Sequence, residues 1–112
     1  TSVKRQVIST TTSETIRVLM EAVVDGGGGK NAYVSGYRIG GKTGTSQVQG
    51  KVDHSVFVAF APFDKPEIAI SVVLEHANSS YSAGTVVKDI LDAYFFTESN
   101  SPTEDPPFVV LD

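Results

Sequence analysis

Three strand-like runs with short connections constrain the fold of this chain more than any other feature. The runs cover roughly residues 36 to 48, 55 to 61 and 68 to 75, and the last two are almost continuously apolar. Such runs are typical of strands covered on both faces. Because a parallel crossover needs about a dozen residues or more, the short connections, marked by Gly50 and by Pro62, Asp64 and Pro66, predict an antiparallel meander.

A helix is predicted before the meander, in "TTSETIRVLMEAVVD". Thr11 and Glu14 have the spacing of a capping box, and the four-glycine run that begins at Gly26 ends the helix in a flexible exit. Helical spacing predicts one buried stripe, formed by Ile16, Leu19, Met20, Val23 and Val24.

A second helix is predicted at roughly 82 to 96, with an apolar stripe of Val86, Val87, Ile90, Leu91, Tyr94 and Phe95. The predicted fold class is therefore α+β: a helix, a three-stranded antiparallel meander and a helix, with both helices on one side of the sheet. Residues 1–97 form the folded portion, and residues 98–112 are an acidic, Pro-rich tail predicted to be mobile.

Charge and composition exclude several classes of function. The formal net charge is -4 with Lys and Arg scattered, which argues against a nucleic-acid partner. The two histidines lack carboxylates at ligand spacing and cysteine is absent, so no metal or other cofactor is predicted. No apolar run approaches the roughly 18 to 20 residues that span a bilayer.

The stretch "GYRIGGKTGT", residues 36 to 45, matches two motifs. Its first eight residues fit the phosphate-loop pattern G-x-x-x-x-G-K-[ST], which requires a helix to begin at the Lys-Thr pair. The residues after Lys42 contain two glycines and β-branched residues without an apolar stripe, so no helix is predicted there. A nucleotide-binding function is therefore disfavoured.

The second motif is K-T-G-[ST], at Lys42 to Thr45. On a strand, Lys42 and Gly44 share one face and Thr43 and Thr45 the other. The lysine supplies a fixed positive charge, the glycine leaves room for a substrate backbone, and threonine hydroxyls with free strand N–H groups can bind a carboxylate or an oxyanion. The structural alternative is a polar edge strand whose glycines relieve crowding.

Asp53, His54 and Ser55 have the residue types of a hydrolase triad in consecutive positions. Consecutive strand residues point to alternating sides, so they cannot assemble a triad. Asp53 and His54 are interpreted as turn and surface residues.

The segments "VISTTTSETIRVLMEAVVDGGGGKNAYVSGYRIGGKTGTSQ" and "HSVFVAFAPFDKPEIAISVVLE" closely resemble the C-terminal part of the transpeptidase domain of class B penicillin-binding proteins. The resemblance runs from about Val7 to Phe96, and places the chain in a β-lactamase/transpeptidase-like domain. In this superfamily K-T-G accompanies S-x-x-K and S-D-N.

The resemblance implies roles for four residues. Lys42 would organise the active-site serines and attract the substrate carboxylate, and Thr43 and Thr45 would hydrogen-bond the carboxylate of the peptide or of a β-lactam. The Thr45 N–H would be an oxyanion-hole donor, so Lys42 and Thr45 are the predicted catalytic residues, and Gly44 would keep the cleft open. Ser79 to Ser82 would approach the rim of the cleft.

The implied parent is a serine-type D,D-transpeptidase that cross-links peptidoglycan stem peptides through an acyl-serine intermediate and binds β-lactams. Its expected location is the outer face of the bacterial cytoplasmic membrane, with an anchor upstream of this chain.

The chain departs from the family pattern because its 112 residues contain neither Ser-x-x-Lys nor Ser-x-Asn. We therefore expect it to be inactive alone and to need the remainder of the transpeptidase domain as its partner. The alternative is a non-catalytic module of the same fold that binds peptide or cell wall. The third strand would expose an apolar edge, which predicts a homodimer or strand exchange.

Overall fold

The computed structural model describes residues 2–77 and 83–100, and the side chains of the last helix through Phe96. Its elements follow the predicted order and confirm the α+β fold. They are α1 (Thr10–Asp25), a 3₁₀ turn (Lys30–Ala32), β1 (Gly40–Ser46), β2 (His54–Ala61), β3 (Ile68–Leu74) and α2 (Ala83–Asn100).

The described strands form one sheet in the order β1-β2-β3, and both neighbouring pairs are antiparallel. Side chains alternate between two faces along β2. Phe57, Ala59 and Ala61 are buried and define the core face, to which the register also brings Val72 of β3. The opposite face, which we call the open face, carries Val58 with 39% of its surface exposed.

Both helices contribute buried side chains to the core face. Val24 near the end of α1 belongs to the same buried cluster as Val87 and Leu91 of α2, and all three are fully buried. A single continuous core therefore joins the two helices to one face of the sheet, as a two-layer α+β unit requires.

The predicted buried stripe of α1 is wrong over its first half. Ile16 is 43% exposed and Leu19 is 62% exposed, whereas Val24 is completely buried. Only the C-terminal end of α1 reaches the core face. Among the described residues nothing covers Ile16 and Leu19 fully, so helical periodicity located an apolar face without indicating what packs against it.

The ring of Phe57 is the centre of the core, with 1% exposure, and three glycines approach it. A Cβ built on Gly41 would lie 2.6 Å from the ring, and one on Gly29 or Gly84 would lie 3.2 Å from it. Gly29 is therefore a packing residue as well as part of the flexible exit predicted after α1. Three separate chain segments can contact this ring because each lacks a side chain.

The start of α1 differs from the predicted capping box. Ser9 is the N-cap, and its Oγ accepts a hydrogen bond from the Thr12 N–H at 3.1 Å. Thr11 lies inside the helix, and its carbonyl accepts from the Thr15 hydroxyl. Residues 9 to 13 are all Ser or Thr, so composition could not choose among neighbouring caps.

At the other end of the chain, α2 continues to Asn100, three residues beyond the predicted boundary between residues 97 and 98. The rest of the predicted tail, residues 101–112, lies outside the described residues.

Candidate active-site strand

The K-T-G-T sequence lies entirely within β1. The strand continues from Gly40 to Ser46, and in the described segment 40–77 no helix begins after Lys42. A phosphate loop requires a helix N-terminus at this position, so the nucleotide-binding alternative fails on structure as well as on sequence.

The register places the four motif residues on alternating faces, as predicted. Lys42 pairs with Val58 and faces the open side, whereas Thr43 pairs with Phe57 and is half-buried on the core side. The Lys42 ammonium donates a hydrogen bond to the Thr43 carbonyl at 2.8 Å, with the Thr43 hydroxyl 3.5 Å away. An ammonium group has three N–H donors, so these two contacts leave one for another partner.

Gly44 lies on the open face with room for a Cβ atom. A Cβ at this position would lie 3.5 Å from the Val56 Cβ, which is an ordinary van der Waals contact. Packing within the described residues therefore does not require glycine here. This contrasts with Gly41 on the same strand, where the Phe57 ring excludes a Cβ.

The outer edge of β1 has no strand beside it among the described residues, because β1 pairs only with β2. Thr45 lies near the end of this edge and is exposed. An edge strand of this kind presents alternate N–H and C=O groups to which an extended peptide can add.

A cluster of charged side chains holds the segment that leads into β1. Arg38 binds the Glu21 carboxylate of α1 through two nitrogens, at 2.5 and 2.8 Å, and the Asp64 carboxylate through a third at 2.8 Å. The hydrogen bond from Arg38 holds the pKa of Glu21 below its ordinary value of 4.5, and that bond likewise raises the pKa of Arg38. The guanidinium also lies 4.2 Å from the centre of the Phe63 ring.

The interpretation of His54 as a turn and surface residue is wrong. His54 begins β2, is half-buried, and its Nδ1 accepts a hydrogen bond from the His76 N–H at 2.9 Å. The two imidazole rings lie 4.6 Å apart. The sequence held a signal for this contact, because one histidine begins a strand and the other follows the end of its antiparallel neighbour.

The predicted cleft-rim residues Ser79 to Ser82 lie outside the described residues. Among the residues that are described, no three His, Cys, Asp or Glu side chains group closely enough to hold a metal ion. The described helices include none with both the length and the apolar character needed to cross a bilayer.

Comparison with known proteins decides the family. The profile described as "Penicillin binding protein transpeptidase domain" matches residues 1–93. The chain belongs to this family. This match and the relatives named below confirm the resemblance to class B penicillin-binding proteins that the two quoted segments carry.

Two curated relatives and one solved structure show the extent of the likeness. Stage V sporulation protein D of Bacillus subtilis is 44% identical over 75% of the chain, and the peptidoglycan D,D-transpeptidase MrdA of Acinetobacter baumannii is 38% identical over 78%. The chain spans only 14% and 15% of those proteins. The TP domain of Burkholderia pseudomallei penicillin-binding protein 3 is 29% identical with a TM-score of 0.75, over 90% of this chain and 34% of that one.

Proposed function

We propose that this chain supplies the K-T-G strand of a serine-type D,D-transpeptidase, which cross-links peptidoglycan stem peptides at the outer face of the bacterial cytoplasmic membrane. The observation that carries the proposal is the open position at Gly44. The residue lies near Lys42 on a strand whose outer edge is unpaired among the described residues, and none of their side chains excludes a Cβ atom there. A glycine without a packing reason on such a strand is explained by the space that a bound peptide needs.

In the proposed reaction each motif residue has a distinct task. The Lys42 ammonium attracts the substrate carboxylate and orients the serine hydroxyls of the neighbouring subdomain. Hydroxyl groups of Thr43 and Thr45 donate hydrogen bonds to the carboxylate of the stem peptide or of a β-lactam. The Thr45 N–H stabilises the oxyanion that forms when the serine attacks the carbonyl carbon. Collapse of that oxyanion breaks the scissile amide bond of the donor stem peptide and releases its terminal residue as a free amine. The amine of a second stem peptide then attacks the acyl-serine, which forms the new amide bond and returns the serine hydroxyl.

The remainder of the transpeptidase domain is the proposed partner of the open face. Val58, the register partner of Lys42, is 39% exposed there, and Val73 of β3 on the same face is 56% exposed. A covering layer formed by the remainder of the domain would bury these two valines. The same layer would bring the nucleophile to the face that carries Lys42. The related transpeptidase structure is about three times longer than the matched part, since the match covers 34% of it.

The experiment measures labelling by a fluorescent penicillin, in this chain alone and in the intact protein that contains it. We expect labelling of the intact protein and none of the chain, because the chain has no Ser-x-x-Lys. Labelling of the chain alone would contradict the assignment of the nucleophile to another segment.

Three variants of the intact protein test the strand, and the two lysine variants are a matched pair. Gly44→Ala should slow labelling by about tenfold or more without lowering thermal stability, because its methyl group meets the ligand while its nearest internal neighbour, Val56 Cβ, lies at an ordinary contact distance of 3.5 Å. Lys42→Ala should slow labelling strongly, whereas Lys51→Ala removes an equal charge from the exposed β1–β2 connection and should not. Equal effects of the two lysine variants would refute the proposed role of Lys42.

The second candidate is a non-catalytic module that binds peptide or cell wall, favoured by the absence of both serine motifs from these residues. It predicts that the intact protein sediments with purified peptidoglycan but never becomes covalently labelled. Covalent labelling that survives denaturation would exclude it.

A further inference from the structure

Two adjacent residues at the start of β2 hold the two described ends of the connection between β3 and α2. His54 Nδ1 accepts the His76 N–H at 2.9 Å, just after β3. Ser55 Oγ accepts the Ala83 N–H at 3.1 Å, at the first residue of α2. The beginning of β2 therefore fixes where one element ends and the next begins.

The same two residues are the register partners of the end of β1. Ser55 pairs with Thr45, and His54 pairs with Ser46. The end of the motif strand is thus supported by the two residues that bind the β3 terminus and the α2 start. Ser55 is therefore one strand pairing from Thr45 itself, and His54 is one strand pairing from its neighbour Ser46.

The hydrogen bond to His54 exists only when its imidazole is neutral. An imidazolium carries hydrogen on both nitrogens and has no acceptor, so protonating His54 removes the partner of the His76 N–H. The His76 Nδ1 lies 2.8 Å from the Val52 carbonyl, which can only accept, so this nitrogen carries a hydrogen. A charged His54 would also face the His76 ring at 4.6 Å.

The other charged groups near the pair belong to the adjoining chain segments. Lys51 and Asp53 precede His54, and Glu75 precedes His76. The Asp53 carboxylate accepts the Val48 N–H at 3.3 Å. The end of β1, residues 45–47, and the start of α2, residues 83–87, contain no ionisable side chain. Among these groups, only His54 carries the acceptor atom of the His76 N–H, so the protonation state of His54 decides that hydrogen bond.

We infer that neutral His54 is a positioning residue for the Thr45 end of the active-site strand. The hydrogen bond is complete while His54 is neutral and is lost as the pH falls and the ring gains its proton. The rate of acylation should therefore fall in acid, because Thr45 is displaced. This inference rests on the proposed transpeptidase function, and its experiment has one arm that does not depend on activity.

The first arm measures hydrogen–deuterium exchange in the intact protein at pH 7.5 and 5.5, corrected for the intrinsic exchange rate. Peptides covering residues 72–77 should lose protection by about two- to twelvefold in acid, the range expected for one net hydrogen bond. In His54→Asn the amide Oδ1 takes the place of Nδ1 and accepts at both pH values, so the loss should disappear.

His76→Asn is the matched control. It removes the second imidazole but keeps the backbone N–H, an amide donor for the Val52 carbonyl, and a residue that tolerates the positive φ of 48°. The acid-dependent loss of protection should persist in this variant. Its disappearance there, or its survival in His54→Asn, would overturn the role of His54.

The second arm measures the rate of fluorescent-penicillin labelling over the same pH range. The ratio of the rates at pH 7.5 and 5.5 should be several-fold smaller in His54→Asn than in the wild type or His76→Asn. Loss of protection without any change in that ratio would show a structural hydrogen bond and overturn the positioning role. No labelling at any pH would overturn the proposed function together with that role, and the exchange arm would still report the hydrogen bond.

Discussion

The glycines next to each other at the start of β1 give a sharp test of how the core is packed. A Cβ on Gly41 would lie 2.6 Å from Phe57 Cε1 and 3.1 Å from Val24 Cγ2. A Cβ on Gly40 would lie even closer to a ring, 2.3 Å from Phe60 Cε1. Distance alone therefore predicts that Gly40→Ala is the more damaging change.

We expect the opposite order, because the Phe60 ring can move away from an added methyl group and the Phe57 ring cannot. Phe57 is 1% exposed, and the backbones at Gly29 and Gly84 limit its movement away from Gly41. Phe60 is half-buried on the open face, so its ring can turn away. Overpacking a rigid core costs about 1–3 kcal/mol, whereas the gain from replacing a strand glycine by alanine, about 0.5–1 kcal/mol, is common to both variants.

We expect Gly41→Ala to have a free energy of unfolding about 1–3 kcal/mol lower than Gly40→Ala, measured by urea denaturation followed by circular dichroism. Adding Phe57→Leu should remove the penalty of Gly41→Ala, so the two changes together should cost less than the sum of their separate effects. Equal stability of the two alanine variants, or additivity with Phe57→Leu, would refute the idea that the Phe57 ring is confined.

Three further predictions concern the rest of the described chain. Glu21→Gln should lower the free energy of unfolding at neutral pH, because the hydrogen bond from Arg38 holds the pKa of Glu21 below 4.5. This loss should shrink as the pH falls below 4.5 and through the lowered value, and urea denaturation at several pH values tests it. Phe95→Ala should cost about 3–5 kcal/mol and Phe96→Ala less than about 1 kcal/mol in thermal unfolding, since their exposures are 5% and 56%. The chain alone should associate through the unpaired edge of β3 in light scattering, and Val73→Lys should shift it towards monomer.

The sequence predicted the order and type of the elements well because hydrophobic periodicity and glycine placement are local signals. The strand predicted at 55 to 61 begins one residue earlier, at His54, and the one at 68 to 75 ends at Leu74. The first strand was predicted from residue 36 but begins at Gly40, since nothing local distinguishes an extended approach from a paired strand.

The predictions are wrong or incomplete where distant parts of the chain meet. Leu19 fits a helical stripe, yet its burial depends on which layer lies beside the first half of α1. Gly29 fits a flexible exit, yet it also packs against a ring 28 positions away, Phe57. His54 fits a turn, yet its partner is His76 at the end of another strand. The faces of Lys42 and Thr43 were predicted because strand alternation needs no knowledge of partners.

The pairing of β1 with β2 has a consequence for how this chain can change during evolution. The connection at residues 47–53 can gain or lose residues at its tip while Lys42 stays opposite Val58. A length change absorbed as a slip of one position would turn Lys42 towards the core and Thr43 outward, moving every side chain of the strand at once. Insertions and deletions in descendants of this sequence should therefore be confined to the hairpin tip, and the spacing from Gly40 to Thr45 should stay constant.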